Sequence, residues 1–331
     1  MKAEHLARWI LIALVPGLLL GIFLVRSLGS REVIEVHAKM PENGGWVPAD
    51  LHVTAGQPLR LRLISDDVLH GFAIGQSDQP PVDVEPGKIT ELTLNFDQPG
   101  KYVYYCTRWC GADHWRMRGT IEVQPNPDKP DTTTQPGGEA ATQPLFVRLG
   151  VDIDGQQHTN HVPKRKPDAR QGQALDLALP EKYLASEYYR THSPAEVWEA
   201  LRSESEYQSL SDQQVWDLVA WIWRQGTSQE KLAEGQKLYA QNCAACHGEA
   251  GAGDGVMAEQ VATEFAASGH SQAGPIDFTD PHRNLATSPV IQQGKIIRGG
   301  MGTGMPYWGP IFTEEQIWAL VDYLWTFQFD Y

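Results

Sequence analysis

The stretch from Cys106 to Met117 constrains this chain more than any other part of it. It reads CTRWCGADHWRM and brings two thiols, an imidazole and a thioether into one loop. Sulfur and imidazole nitrogen suit soft or borderline metals, whereas magnesium and calcium are bound through oxygen. Mononuclear blue copper uses a single Cys with His ligands and a weak axial Met. A loop that offers two thiolates, Cys106 and Cys110, can instead hold two bridged copper ions.

Each copper ion of such a pair needs its own nitrogen ligand, and the loop supplies only His114. The second donor is predicted to be His70, which lies in SDDVLHGFAIG ahead of an apolar, strand-like run. Two simpler interpretations of the cysteines remain. A Cys-x3-Cys pair in an exported protein can form a disulfide, or it can be half of a zinc site, although tetrahedral zinc sites rarely recruit Met.

The segment VLHGF at 68–72, followed by CTRWCGADHWRM, resembles the binuclear CuA site of subunit II of haem-copper oxidases and of nitrous oxide reductases. The resemblance covers roughly residues 50–123. It implies that two cysteines bridge the coppers, that each of two histidines binds one copper, and that a thioether and a backbone carbonyl are weak ligands. The bridging cysteines would be Cys106 and Cys110, and the histidines would be His70 and His114. The weak ligands would be the Met117 thioether and the backbone carbonyl of Arg108.

Position 108 departs from the common oxidase pattern. Many oxidases have an acidic residue between the two cysteines that also contacts a magnesium ion at the subunit interface, whereas this chain has Arg108. The resemblance therefore does not carry the magnesium contact over to this chain.

Residues 31–124 read as short strands separated by turn residues, which predicts a β-sandwich. The resemblance implies a cupredoxin, a Greek-key barrel, with the metal loop between the last two strands, KYVYYC and RGTIEV. Residues 125–144 are rich in Pro, Thr and Gly and predict an extended linker.

An uncharged run from Trp9 to Val25 is flanked by basic residues on both sides. A helix of that length spans about 25 Å, near the lower limit for crossing a bilayer. No A-x-A-like cleavage site follows promptly, so residues 1–30 are predicted to be an uncleaved membrane anchor rather than a signal peptide.

A second cofactor motif lies in the C-terminal part, where Cys243, Cys246 and His247 form C-x-x-C-H. In this signature two thiols attach a c-type haem and the His becomes the proximal iron ligand. Residues 229–331 resemble class I cytochrome c, which implies Met305 as the distal ligand, with Met301 as its main rival. All four cysteines of the chain are then committed to cofactors.

Two segments before this motif resemble two segments that follow it. LSDQQVWDLVAWIW (210–223) matches FTEEQIWALVDYLW (312–325), and SPAEVWEALR (193–202) matches SPVIQQGKIIR (288–298). Only the later copy has a haem motif. Residues 145–228 are therefore predicted to be either a degenerate, cytochrome c-like unit or an ordinary amphipathic helical pair. The expected fold is multidomain: an N-terminal transmembrane helix, a cupredoxin β-sandwich and an all-α cytochrome c-like region.

A net charge of −14 argues against nucleic acid, whose phosphates would repel the chain. Two metal centres in one anchored chain predict an electron-transfer subunit rather than a catalyst acting alone. The expected route runs from haem c through CuA to a membrane-embedded haem-copper subunit I of the cytochrome c oxidase type.

Two alternatives stay open: the electron-entry subunit of a CuA-type nitric oxide reductase, which the single predicted span and Arg108 favour, and a free-standing periplasmic electron carrier or redox sensor. The expected donor is a cytochrome c or a quinol-oxidising complex. The expected location is the bacterial inner membrane, with the soluble domains on the periplasmic side.

Overall fold

The structure is a computed structural model. It describes residues 33–77, 79–111, 114–127, 144–155, 157–267, 274–300 and 305–331. The predicted anchor and most of the predicted linker lie outside these ranges. Among the helices within them, none is both long enough and apolar enough to cross a bilayer.

Residues 33–124 fold into two facing β-sheets. Apolar and polar residues alternate along the strands, so that each strand buries one face; in the strand from Pro58 to Ser65, Leu59, Leu61 and Leu63 are all buried. The strands are β1 (Val33–Ala38), β2 (Trp46–Val47), β3 (Asp50–Thr54), β4 (Pro58–Ser65), β5 (His70–Ile74), β6 (Val82–Val84), β7 (Ile89–Asn95), β8 (Gly100–Cys106) and β9 (Arg118–Gln124).

One sheet has the order β2-β1-β4-β7 and the other the order β3-β9-β8-β5-β6. The pairs β1–β4 and β3–β9 are parallel and the other pairs are antiparallel. Between the sheets, the rings of Phe72 and Tyr104 stack at 5.1 Å, and Trp46 meets each of them edge-on at 5.6 Å. This is a cupredoxin-like β-sandwich, as predicted.

The sandwich brings both parts of the copper motif to one place. Strand β8 ends at Cys106 and β9 begins at Arg118, so the metal loop connects these two strands as expected. Strand β5 begins at His70 and pairs with β8, with Phe72 opposite Cys106. Because β5 and β8 are neighbours, His70 lies beside the loop although it is far from it in sequence.

Residues 144–331 are helical within the described ranges. Three helices begin with reciprocal capping boxes, in which an N-cap hydroxyl and an N3 Glu or Gln each bond the other's backbone N–H. The helices are α1 (Leu145–Arg148), α2 (Ala169–Gln173), α3 (Glu181–Leu184), α4 (Ser186–Thr191), α5 (Pro194–Ser203), α6 (Asp212–Gln225), α7 (Gln229–Asn242), α8 (Ala244–His247), α9 (Ala258–Ala267), α10 (Pro281–Asn284), α11 (Pro289–Arg298) and α12 (Glu314–Leu324).

Helix crossings repeat within this region. Helix α7 crosses α12 at Gly235, where a Cβ would overlap the carbonyl oxygen of Ala319. Helix α2 crosses α6 at Gly172, where a Cβ would overlap the carbonyl oxygen of Asp217. Asp217 and Ala319 occupy equivalent positions in the two matching sequence segments, so both crossings place glycine against the same point of the repeat.

The two helical units share one core. The rings of Trp223 and Trp325 meet edge-on at 5.8 Å, and the Tyr189 hydroxyl donates to the buried carboxylate of Asp322 at 2.6 Å. Trp216 is also buried in this core. The Trp-rich face of α6 is therefore a packing surface.

Candidate functional site

The two cysteine sulfurs of the metal loop form the centre of the site. Cys106 and Cys110 are each 3% exposed and are free thiols, so the disulfide alternative is not formed. The carbonyl oxygen of Arg108 lies 3.2 Å from Cys106 Sγ. Met117 Sδ lies 3.6 Å from Cys110 Sγ. The loop thus directs a carbonyl toward one sulfur and a thioether toward the other.

Each sulfur also has an imidazole beside it. His70 is fully buried, and its Nδ1 lies 3.9 Å from Cys106 Sγ. His114 Nδ1 lies 3.3 Å from Cys110 Sγ. The donor atoms of His70, Cys106 and Cys110 all lie within 4.8 Å of one another, which is close enough to hold a metal ion. The other four residues of the predicted copper site therefore converge on the sulfur pair.

The orientation of His70 depends on Asp67. Its Nε2 lies 2.7 Å from Asp67 Oδ1, and the Asp67 carboxylate in turn accepts the backbone N–H groups of Met40 and Val68, both at 2.7 Å. A partner on one ring nitrogen fixes the tautomer and leaves the other nitrogen free as a ligand. Sequence reasoning missed Asp67; the available signal was an acidic residue three positions before the ligand His.

Hydrogen bonds also set the protonation of His70 and Asp67. Burial works against the charged imidazole, but the hydrogen bonds to Cys106 and Asp67 outweigh it and raise the pKa of His70. Burial likewise opposes ionisation of Asp67, yet the bonds from Met40 N–H and from His70 lower its pKa. The Asp67 carboxylate is therefore ionised at neutral pH and available to orient the ring.

The pKa values of the two thiols shift in opposite directions. The hydrogen bond from Cys110 prevails over burial and, helped by His114, His70 and the Gly71 N–H, lowers the pKa of Cys106 to about 3. The same hydrogen bond, together with burial, raises the pKa of Cys110. Cys106 is thus the more acidic thiol of the pair, and a metal that binds both sulfurs would displace their protons.

The donor chemistry fits copper. Two sulfurs, two imidazole nitrogens, a thioether and a carbonyl form a largely soft ligand set, which magnesium and calcium would not select. The side chain of Arg108 does not contribute to it: the guanidinium forms two hydrogen bonds to the Asp83 carboxylate, at 2.8 and 3.0 Å. Arg108 is therefore available to the site only through its backbone carbonyl.

The haem motif occupies helix α8 and its N-cap. Cys243 is the N-cap residue, and His247 is the last residue of the helix. Burial raises the pKa of Cys243 to about 12 and also raises that of Cys246. His247 Nδ1 lies 3.2 Å from the Ile276 carbonyl, to which it donates, and burial lowers its pKa. This imidazole is therefore neutral, with Nε2 free to bind iron.

The predicted distal ligand lies in the loop before α12. The backbone carbonyl of Met305 accepts the Gly300 N–H at 3.0 Å, and the half-buried side chain packs against the helical core. Met301 lies outside the described residues. The choice of Met305 over Met301 stays a prediction.

Two parts of the chain match known families. Residues 46–124 match the family described as cytochrome c oxidase subunit II, periplasmic domain, and residues 232–328 match cytochrome c. The first match indicates copper and the second indicates haem c.

Individual relatives agree with the first match. Cytochrome c oxidase subunit 2 of Thermus thermophilus is 34% identical over 80 residues, covering 24% of this chain and 58% of that protein. Alternative cytochrome c oxidase subunit 2 of Bradyrhizobium diazoefficiens is 33% identical over 87 residues, covering 26% of this chain and 29% of that protein. The chain thus matches less than two thirds of the length of either relative.

A solved structure of the periplasmic domain of subunit II of cytochrome oxidase from Bradyrhizobium japonicum is also similar. It shares 18% identity, covers 30% of this chain and 87% of that chain, and has a TM-score of 0.26.

The chain joins a cupredoxin-type domain to a cytochrome c domain, and each domain has its own candidate cofactor site. The resemblance predicted from the motifs, to a CuA-containing subunit II with a C-terminal cytochrome c domain, is confirmed: residues 46–124 match the subunit II periplasmic domain and residues 232–328 match cytochrome c.

Proposed function

We propose that this chain is the electron-entry subunit of a haem-copper terminal oxidase and passes electrons from haem c through CuA to a membrane-embedded subunit I. The observation that carries the proposal is the convergence of four donor groups on the Cys106 and Cys110 sulfurs in a chain that also contains C-x-x-C-H. Bound copper and haem supply reversible one-electron redox chemistry. The protein supplies positioned ligands, because Cys106, Cys110 and Met117 are buried in the β-sandwich core and Asp67 holds His70.

The proposed copper ligands are those of the sequence prediction, with Asp67 added as the residue that orients His70. The proposed haem ligands are His247 and Met305, with covalent attachment through Cys243 and Cys246. The Ile276 carbonyl has the same role for His247 that Asp67 has for His70, since each occupies the nitrogen that does not bind metal. Met and His together raise the potential of a haem and suit it to electron transfer.

The membrane assignment rests on the sequence of the N-terminal segment. Residues 9–25 are proposed to anchor the chain in the bacterial inner membrane, with the remaining domains on the periplasmic side. The match of residues 46–124 to a periplasmic-domain family supports this orientation. The proposed donor is a cytochrome c or a quinol-oxidising complex.

Residues 145–228 are proposed to be a degenerate cytochrome c-like unit, between a linker at 125–144 and the haem domain at 229–331. The equivalent glycine crossings at Gly172 and Gly235 support this origin over an ordinary helical pair. In the degenerate unit, the aromatic side chains of Tyr183, Trp198 and Tyr207 contribute to its buried core.

Purification from native membranes tests the proposed function. A multi-span haem protein should co-migrate with the chain in mild detergent, and the complex should consume oxygen when reduced cytochrome c is supplied. The Cys106→Ser variant should assemble but lose turnover, because the sulfur pair is broken. A chain that migrates alone from wild-type membranes would contradict the proposal and favour a free-standing carrier or sensor.

A second candidate is the electron-entry subunit of a CuA-type nitric oxide reductase. The observation that favours it is Arg108, whose side chain is paired with Asp83 where many oxidases have an acidic residue. The purified complex distinguishes the two: reduction of nitric oxide without oxygen uptake would support the reductase, and oxygen uptake would support the oxidase.

A further inference from the structure

The copper domain and the haem domain touch through a residue that directly follows a copper ligand. Arg118 is next to Met117 and begins β9. Its Nη1 donates to the backbone carbonyl of Tyr307 at 2.8 Å, and its guanidinium carbon lies 4.9 and 5.2 Å from the ring centroids of Tyr307 and Trp308. Tyr307 is two residues from Met305, so this hydrogen bond links the end of the copper loop to the described part of the loop that contains Met305.

A second contact joins the same two domains. Gln76 follows β5, the strand that begins at His70. Its backbone N–H donates to the Ile311 carbonyl at 2.9 Å and its Nε2 donates to the Gly309 carbonyl at 2.7 Å. Gln76 has a φ of 55°, a left-handed conformation that a non-glycine residue seldom adopts without support from its surroundings. The segment 305–311 is therefore held at two points by the sheet that carries the copper ligands.

Apolar packing closes the contact. Val103 and Tyr105 lie on β8, and their half-buried side chains pack against the helical core. Tyr105 is the register partner of Arg118 across β8 and β9. Trp308 is 7% exposed. One face of the copper-site sheet thus packs against the haem domain beside residues 305–311.

The charge in this interface is costly to place there. The Nη2 atom of Arg118 is buried with no hydrogen-bond partner among the described residues. A partly desolvated guanidinium needs compensation, which here comes from one carbonyl and two aromatic faces. An aliphatic side chain of similar length would fill this position without the cost of burying a charge. Packing alone therefore does not explain why the residue is an arginine.

We propose that Arg118 is a positioning residue that fixes the Met305 loop against the copper loop and provides a bonded connection between the two centres, by way of Met117, the Arg118 backbone and side chain, the Tyr307 carbonyl and Pro306. This inference rests on the proposed function. The step it serves is the transfer of one electron, in which ferrous haem is oxidised and the copper centre is reduced, with no bond broken and no proton moved.

Three variants of the full-length, cofactor-loaded protein test it. Arg118→Met removes the hydrogen bond and the charge but keeps the length of the side chain, and Arg118→Lys keeps the charge without the planar guanidinium. Arg62→Met is the matched control, because Arg62 pairs with Glu35 and Glu91 on the other sheet of the sandwich.

The first measurement is hydrogen exchange of peptides that cover residues 305–311. Loss of a hydrogen bond to a charged group should speed exchange there by about tenfold or more in Arg118→Met, with a smaller increase in Arg118→Lys and none in Arg62→Met. Exchange equal to that of the wild type in both Arg118 variants would show that Arg118 does not hold the loop.

The second measurement is the rate of internal electron transfer after flash reduction of the haem, together with the midpoint potentials of both centres. Arg118→Met should slow the transfer several-fold more than any change in the two midpoint potentials accounts for, and Arg118→Lys, which keeps the charge, should recover part of the rate. A wild-type rate in Arg118→Met would overturn the inference but leave the proposed function intact. Absence of internal transfer in the wild type would instead overturn the proposed function.

Discussion

The carboxylate of Asp67 lies 2.7 Å from His70 Nε2, so that the opposite ring nitrogen of the same buried imidazole faces Cys106. A ligand held in this way reaches the metal with its tautomer and angle already set. Strand β5 supplies His70 and the turn before it supplies Asp67, so local chain geometry provides both the ligand and the group that orients it.

Removing the Asp67 carboxylate should weaken copper binding. The Asp67→Ala variant is expected to bind copper about 10- to 100-fold more weakly, because the His70 ring loses the acceptor that fixes it. Competition with a copper chelator measures the change. Asp66→Ala is the control, since Asp66 pairs with His37 and Lys39 rather than with His70. Equal affinity in Asp67→Ala and Asp66→Ala would exclude this role for Asp67.

Replacing Met117 should change the copper centre more than the fold. Met117 is 1% exposed and its Sδ lies 3.6 Å from Cys110 Sγ. Met117→Leu conserves volume, so the free energy of unfolding of the metal-free protein should fall by less than about 1.5 kcal/mol. A weak axial thioether tunes a copper potential, so the loaded variant should retain copper but show a shifted potential. An unshifted potential would remove Met117 from the ligand set.

The two glycine crossings should respond alike to alanine. Alanine normally stabilises a helix by about 1 kcal/mol relative to glycine. At Gly235 and Gly172 the new methyl would meet a backbone carbonyl, and overpacking of this kind costs about 1–3 kcal/mol. Both Gly→Ala variants should therefore melt at lower temperature than the wild type.

Gly155 provides the control for this pair, because its nearest contacts would lie at an ordinary 3.5 Å. Gly155→Ala should leave the melting temperature nearly unchanged. A destabilised Gly235→Ala beside an unaffected Gly172→Ala would argue against equivalent crossings in the two helical units.

An exposed ion-pair cluster should make stability depend on acid pH. Arg298 and Lys295 of α11 lie 2.6 and 2.7 Å from the Asp154 carboxylate and lower its pKa. The pKa of Asp154 is lower in the folded protein than in the unfolded chain, where it is about 4. The ion pairs therefore stabilise the fold fully above that pH. This stabilisation is lost as the pH falls from there through the folded-state pKa. Asp154→Asn should therefore destabilise at pH 7, by less than about 1 kcal/mol because the cluster is exposed, and much less at pH 2. A pH-independent effect would contradict this account.

The sequence predicted those features that local patterns encode. Short strands separated by turn residues predicted the β-sandwich, and KYVYYC and RGTIEV correspond to β8 and β9 on either side of the metal loop. The two shortest strands, β2 and β6, were not predicted, because segments of two or three residues show no periodicity.

Contacts between distant residues could not be predicted from the sequence. The bond from Arg118 to Tyr307 joins residues 189 positions apart, and the bond from Gln76 to Gly309 joins residues 233 apart. No sequence motif marks either bond, because both form only where the two folded domains pack together. The copper motif was predictable because ligand type and spacing are themselves the chemical signal.

The central claim is that Cys106 and Cys110 bridge two copper ions, and the EPR spectrum of the copper-loaded protein tests it most directly. A mixed-valence pair shares one unpaired electron between two copper nuclei and should give a multi-line hyperfine pattern, which His114→Ala should alter because one copper loses its nitrogen ligand. A simple four-line spectrum from the wild-type protein would show a single copper ion and contradict the account.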